Sequence, residues 1–257
     1  MKQAMKADIK VIVEENIPMG GGCTLMRVKP ADGSQLPPVQ PGQFVNINVP
    51  DTRGVFLRRP ISVCDVEGNL LTLYIKAAGK GTARLCSLRH GNQFEVLLPL
   101  GHGFSLPGSE GMNLLIGGGV GIAPLLYLGR CLKSAGASVE FLLGGAGKAD
   151  LELASEFARL GSVHVTTADG SAGTRGFVTD HEVLGGSIGR IYSCGPTPMM
   201  KAVARIARGR NIPMEASLEN HMACGLGACL CCVENTTTGN RCVCTDGPVF
   251  DIEELRW

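Results

Sequence analysis

The chain has 257 residues, of which 44% are hydrophobic and 18% are charged, and this composition excludes a disordered protein. At about 150 residues per domain, the length predicts one to two domains and a small appendage. Lys and Arg number 24 against 23 Asp and Glu, so the net charge is only +1. With an aromatic content of 5%, this balance gives no reason to expect nucleic acid or an anionic membrane as a partner.

Residues 1–106 show the pattern of short β-strands. Hydrophobic side chains alternate with polar ones over 9–13, 45–49 and 71–75, and an apolar run follows at 94–98. Segments rich in Gly, Pro, Asn and Asp separate these runs, as turns between strands do. Several short strands at this spacing predict a small antiparallel barrel as the first domain.

In residues 107–213 the pattern changes to strands that alternate with helices. This alternation predicts a parallel sheet with helices on both faces. The remaining residues, 214–257, form a short cysteine-rich module. The strands are predicted at 113–116, 139–143, 162–167 and 190–193, and the helices at 123–134, 151–160 and 198–208.

Nothing in the sequence is typical of a targeting signal or a membrane span. The lysines among the first ten residues are not followed by an apolar core. The apolar segment 114–128 is interrupted by four glycines and a proline. We therefore expect a cytoplasmic protein that does not sit in a membrane, with its eleven cysteines reduced rather than paired in disulfides.

The strongest chemical signal is a cysteine pattern in the third module. The spacing C-x4-C-x2-C with a fourth cysteine further on is the plant-type pattern for a [2Fe–2S] cluster, which needs four thiolates. Two additional cysteines, Cys231 and Cys242, leave two alternatives open, a structural zinc site and a redox disulfide. The candidate cluster ligands are Cys224, Cys229, Cys232 and Cys244.

A glycine-rich turn between a predicted strand and helix is the second signal. Such a turn presents backbone amides and a helix N-terminus to a phosphate, although it can also be a tight turn packed under the helix. No acidic residue stands where a standard NAD-binding Rossmann unit has one, because the first acid after 143 is Asp150. The candidate nucleotide-binding residues are Gly117, Gly118, Gly119, Gly121 and Pro124.

Two weaker signals remain. Arg58, Arg59 and Ser62, with the Gly-Lys-Gly-Thr segment 79–82, could hold a phosphate or could form an ordinary basic surface loop. Cys194 ends a predicted strand, where it could face a flavin and a nicotinamide as a catalytic residue or could be a small buried thiol.

The order of these motifs resembles the ferredoxin-reductase superfamily. Within it, the stretches RRPIS, GGGVGIAPL, MACGLGAC and CTDGPVF resemble the electron-transfer subunits of type B dihydroorotate dehydrogenases. The resemblance implies that the four cysteines named above are the cluster ligands and that Cys231 and Cys242 are not. Lys76 stands where the family usually has arginine, and one ammonium cannot replace a bidentate guanidinium. The resemblance also implies FAD contacts at Arg59, Pro60, Ile61, Ser62, Tyr74, Ile75, Lys76, Gly81 and Thr82.

The implied fold is an FAD-binding β-barrel, an NAD-binding α/β domain and a [2Fe–2S] module. The implied function is electron relay in pyrimidine (UMP) biosynthesis, from an FMN-containing dihydroorotate dehydrogenase catalytic subunit through the cluster and FAD to NAD+. The resemblance further implies a heterotetramer with two subunits of each kind. The chain is too short to add the FMN-binding (β/α)8 barrel of about 250 residues, so a partner is needed.

Other functions compete with this one. An NAD(P)H-dependent iron–sulfur flavoprotein reductase would pass electrons to a different acceptor. A flavin- or zinc-bearing structural subunit would only regulate a partner. NAD is favoured over NADP because residues 144–150 offer only Lys148 to a 2′-phosphate.

Overall fold

A computed structural model describes residues 5–106 and 111–257. Its first half is a closed antiparallel barrel in the strand order β1-β2-β5-β4-β3-β6, with β6 paired to β1. The barrel prediction is confirmed, although the sequence pattern missed the second and fourth strands. The strands are β1 (Ala7–Met19), β2 (Cys23–Pro30), β3 (Phe44–Ile47), β4 (Arg59–Glu67), β5 (Leu70–Lys76) and β6 (Gln93–Leu100).

The barrel closes because alternate residues of every strand point inward. Val45 and Ile47 of β3 are fully buried in the barrel core, as are Leu71 and Leu73 of β5. The intervening residues face outward, and Phe44 packs in the core of the second half. A short helix, α1 (Lys80–Cys86), follows β5.

The second half is a seven-stranded sheet in the order β10-β9-β8-β7-β11-β12-β15. The first six strands in this order are parallel, and β15 is antiparallel at the edge. The segment 107–110, where the first predicted domain boundary falls, lies outside the described residues. The strands are β7 (Met112–Gly118), β8 (Val139–Gly145), β9 (Ser162–Thr167), β10 (Thr174–Arg175), β11 (Ile188–Cys194), β12 (Met214–Ser217) and β15 (Val249–Asp251).

Helices cover both faces of this sheet, as predicted. Leu115 of β7 shares a buried cluster with Leu125 of α2 (Ala123–Ser134) and with Phe157 of α3 (Ala154–Ala158). Its neighbour Leu114 belongs to the cluster on the other face, with residues of α4 (Thr197–Gly209). Successive residues of a strand point to opposite faces, so one strand supports both layers.

The helix predicted over 151–160 is wrong in extent. A 3-10 turn occupies Lys148–Leu151, and α3 is only five residues long. Asp150 belongs to the 3-10 turn, where its carboxylate accepts a hydrogen bond from the Ala146 amide at 2.9 Å.

The cysteine-rich segment is built into the sheet. Its first strand, β12, pairs with β11, and β15 near its other end pairs with β12. Between them lies a hairpin of β13 (Val233–Thr236) and β14 (Gly239–Cys242). No helix among residues 5–106 and 111–257 is long and apolar enough to cross a membrane.

One ion-pair network ties the barrel to the sheet domain. Arg130 of α2 donates to Asp65 of β4 at 2.5 Å and also to Glu67. The Asp65 side chain is only 7% exposed, so its charge depends on this guanidinium.

We expect Arg130→Leu to lower the free energy of unfolding by about 2–4 kcal/mol, because it leaves a buried carboxylate without a cation. Denaturant unfolding measures this. The control is Arg159→Leu, which removes an exposed pair with Glu156 and should change stability by less than about 0.5 kcal/mol. Equal effects of the two variants would contradict the role of the network.

Candidate functional site

A cavity of about 290 Å³ lies where the barrel, the start of α2 and the segment before the cluster cysteines meet. The barrel contributes Pro60, Ile61 and Ser62 from β4, and Tyr74 and Lys76 from β5. We call this space the barrel cavity. The structure thus brings two separate stretches of the predicted FAD contacts into one site.

In β5, strand alternation explains which residues face the cavity. Tyr74 and Lys76 are two residues apart and line it, whereas Ile75 between them is fully buried in the barrel core. The Ile75 side chain therefore points away from the cavity.

The remaining predicted FAD contacts meet beside α1. A Cβ placed on Gly81 would lie 2.7 Å from Arg59 Nε, so a larger residue here would require the Arg59 guanidinium to move. The Thr82 hydroxyl accepts hydrogen bonds from the Ala78 and Gly79 amides, at 2.9 and 3.1 Å. In this structure Thr82 holds the turn that starts α1.

A second cavity, of about 590 Å³, lies at the carboxyl ends of the parallel strands. We call it the sheet cavity. It opens where the strand order reverses, since β8 and β11 flank β7 on opposite sides. Ligands of open α/β sheets bind at such a point. Lys76 lines this cavity as well as the barrel cavity, so the two adjoin.

The glycine-rich turn divides into lining and packing positions. Gly118 and Gly119 line the sheet cavity. Gly117 and Gly121 pack instead: a Cβ on Gly121 would lie 2.5 Å from the Gly195 Cα, where backbone cannot give way. Pro124 is buried in the first turn of α2, where its missing amide costs nothing.

Sequence reasoning missed much of the sheet cavity. Its wall includes Gly144 and Gly145 at the end of β8, Asp150 after that strand, and the exposed Phe177. The rule that ligands bind at the carboxyl ends of strands could have pointed to the first two. Nothing local in the sequence marks Phe177, which a loop carries to the cavity.

Cys194 is fully buried, and its thiol lies 3.9 Å from the Glu219 carboxylate. Burial, together with this carboxylate, raises the pKa of the Cys194 thiol well above its usual value. Burial also raises the pKa of Glu219, which lines the barrel cavity. Cys194 therefore stays a neutral thiol, and the Glu219 side chain lies between it and the barrel cavity. The catalytic role of Cys194 stays a prediction.

The segment that leads into the cluster cysteines was also missed. Residues 218–222 line the barrel cavity, and Cys224 follows two positions later. The loop then turns sharply, with positive φ at Gly225 and Gly227 (71° and 81°) and at Leu230 (57°). Only glycine adopts this conformation without strain, which fits the C-G-L-G-A-C spacing.

Backbone amides of this loop point at sulfur atoms. The Leu226 amide donates to Cys224 Sγ at 3.3 Å, and the Gly227 amide donates to Cys244 Sγ at 3.2 Å. The Leu226 contact is the main reason that the pKa of Cys224 falls to about 6. Burial has the opposite effect on Cys244, whose pKa rises to about 12. These donors fit a set of thiolates that share an electron-transfer cluster.

The other two cysteines differ in position. Cys231 is exposed on the loop, and Cys242 ends β14 beside Cys232. The Cys242 amide donates to Asp246 at 2.7 Å, which holds the turn that presents Cys244.

A family model for the iron–sulfur cluster binding domain of dihydroorotate dehydrogenase B matches residues 219–256. The dihydroorotate dehydrogenase B (NAD(+)), electron transfer subunit of Shouchella clausii (strain KSM-K16) is 45% identical over 227 residues, which cover 84% of this chain and 86% of the relative. The chain belongs to this family of electron transfer subunits. The protein of the same name from Geobacillus thermodenitrificans (strain NG80-2) is 43% identical over 225 residues, with the same coverage.

Solved structures agree on the architecture. The NADH-dependent reduced ferredoxin-NADP oxidoreductase structure matches 100% of this chain and 92% of its own, with a TM-score of 0.83 and 30% identity. The FAD/NAD-binding domain of a Vibrio cholerae nitric oxide dioxygenase covers 79% of this chain and 94% of its own, at a TM-score of 0.71 and 22% identity, which shows the fold alone. The iron–sulfur family model decides against a zinc site in the cysteine module.

We expect Cys232→Ser to remove the cluster, because it replaces a buried cysteine of the predicted ligand set. The matched control is Cys231→Ser at the adjacent, exposed cysteine, which should keep full iron content. Iron analysis and visible absorption of anaerobically purified protein measure both. Loss of iron in the control, or its retention in Cys232→Ser, would contradict the ligand assignment.

Proposed function

We propose that this chain relays electrons between a partner catalytic subunit, which oxidises dihydroorotate to orotate, and NAD+. One observation carries this proposal most directly: the segment 218–222 that closes the barrel cavity runs within two residues into Cys224. A flavin in that cavity and a cluster on that loop would be close neighbours.

When bound, FAD exchanges a hydride with nicotinamide and single electrons with a [2Fe–2S] cluster, which is why a relay needs both. The residues that line the two cavities fit these two cofactors. Ser62 and Lys76 offer a hydroxyl and a cation in the barrel cavity, while Gly118 and Gly119 let a second nucleotide approach the backbone of the sheet cavity. Because Lys76 lines both cavities, cofactors bound in them would be adjacent.

The name of the relatives supports a partner subunit. We propose that the partner binds FMN and that two copies of each subunit assemble into a heterotetramer. We also propose a cytoplasmic location, where all eleven cysteines, which are unpaired in the structure, stay reduced.

The test compares the isolated chain with the chain co-purified with a candidate FMN subunit. The chain alone should oxidise NADH with an artificial acceptor and show no turnover of dihydroorotate. The complex should reduce NAD+ with dihydroorotate. Dihydroorotate oxidation by the isolated chain, or none by the complex, would contradict the proposal.

A second candidate is an NAD(P)H-dependent iron–sulfur flavoprotein reductase that serves another acceptor. The full-length match to the NADH-dependent reduced ferredoxin-NADP oxidoreductase structure favours it. Reduction of ferredoxin by the chain with NADH, at a rate that the FMN subunit does not raise, would support this candidate over the first.

Asp150 sets the expected nucleotide preference. It lines the sheet cavity, and its charge repels a 2′-phosphate. We expect Asp150→Asn to raise the ratio of kcat/KM for NADPH to that for NADH by about tenfold, the equivalent of 1.4 kcal/mol. The control is Asp169→Asn, because Asp169 accepts a hydrogen bond from the Ser171 amide and does not line the sheet cavity. An unchanged ratio in Asp150→Asn would show that Asp150 does not determine the preference for NADH over NADPH.

A further inference from the structure

A buried polar side chain on the barrel wall lies directly beneath the cluster loop. Asn46 is on β3 and is only 1% exposed, between two residues that fill the barrel core. Burying an amide is costly unless it forms hydrogen bonds, so its presence on this strand calls for a structural reason.

The amide of Asn46 holds the loop at its first cysteine. Its Nδ2 donates to the backbone carbonyl of Cys224 at 3.2 Å, across 178 positions of sequence. A Cβ placed on Gly225 would lie 2.9 Å from the same Nδ2 and 3.5 Å from Leu100 Cδ1. The loop thus rests on the barrel wall at β3 and β6, with the Asn46 amide at the contact.

The same strand also forms part of the barrel cavity. Phe44 lines the cavity and, being two residues away, points to the same side of β3 as Asn46. Two strand residues span about 7 Å. Asn46 is also the ladder partner of Pro60, another cavity residue. The contact with Cys224 is therefore fixed relative to the cavity by backbone pairing.

We propose that Asn46 is a positioning residue that fixes the cluster loop, and with it the cluster, at a set distance from the flavin. This rests on the proposed function, since it takes the loop to hold a cluster and the barrel cavity to hold FAD. Asn46 acts through the Cys224 carbonyl and needs no contact with either cofactor.

The chemistry explains why an amide suits this position. A carbonyl oxygen requires a donor, which leucine and an ionised aspartate of similar size do not have. The second amide atom, Oδ1, is buried and has no hydrogen-bond partner within the described residues. The bond that the Asn46 side chain makes is therefore a donor bond, from Nδ2 to the Cys224 carbonyl.

The test uses Asn46→Leu and Asn46→Asp in the full chain, reconstituted with FAD, iron and inorganic sulfide. Loss of the donor leaves a carbonyl unpaired, so we expect the cluster to be lost to an iron chelator about tenfold faster than in wild type. The EPR line shape of the reduced cluster should change, while flavin absorption and content stay the same. Asn48→Leu is the matched control, because Asn48 lies just beyond the end of β3 and bonds to Glu95 at the surface.

A second variant probes the same contact from the loop side. Gly225→Ala adds a methyl group against Nδ2 at a residue with φ of 71°, and it should change the EPR spectrum in the same way. Wild-type loss rates and spectra in both Asn46 variants, or equal changes in Asn48→Leu, would overturn the inference. Absence of a cluster from the wild-type chain would instead refute the proposed function.

Discussion

The central constraint in this molecule is the shortness of the link between two sites. Residues 218–222 close the barrel cavity, and Cys224 begins the cluster loop two positions later. Because the chain between them is so short, the loop cannot move far from the cavity. Electron transfer needs such proximity, and here covalent connectivity provides much of it.

The two folded halves make that constraint rigid. The barrel places the predicted FAD contacts on β4, β5 and α1, while the sheet places its glycine-rich turn at the end of β7. Arg130 and Asp65 connect the halves, and strands β12 and β15 tie the cysteine segment into the sheet. The cysteine module is therefore a loop and hairpin on the edge of the sheet domain, and its loop contacts the barrel at Asn46.

Local patterns in the sequence predicted the parts of the molecule that depend on local chemistry. The alternation in the barrel strands and the exact extent of α2, Ala123–Ser134, follow from the periodicity of apolar residues and from Pro124 in the first helical turn. The cysteine spacing likewise predicted an iron–sulfur site, which the family model supports. These features need no knowledge of distant contacts.

The features that the sequence did not predict depend on contacts between distant segments. The place of Phe177 in the sheet cavity depends on a loop that carries it there, and the role of Asn46 depends on a partner 178 positions away. Strand β4 was missed because its outward residues line a cavity and so do not show the usual polar alternation.

The most direct measurement is an anaerobic titration of the isolated, reconstituted chain with NADH, with flavin absorption and the EPR signal of the cluster followed in the same sample. If the two sites lie as close as the structure indicates, electrons from NADH will reach both centres without any partner, and both signals will change together. Bleaching of the flavin while the cluster stays fully oxidised would contradict the account.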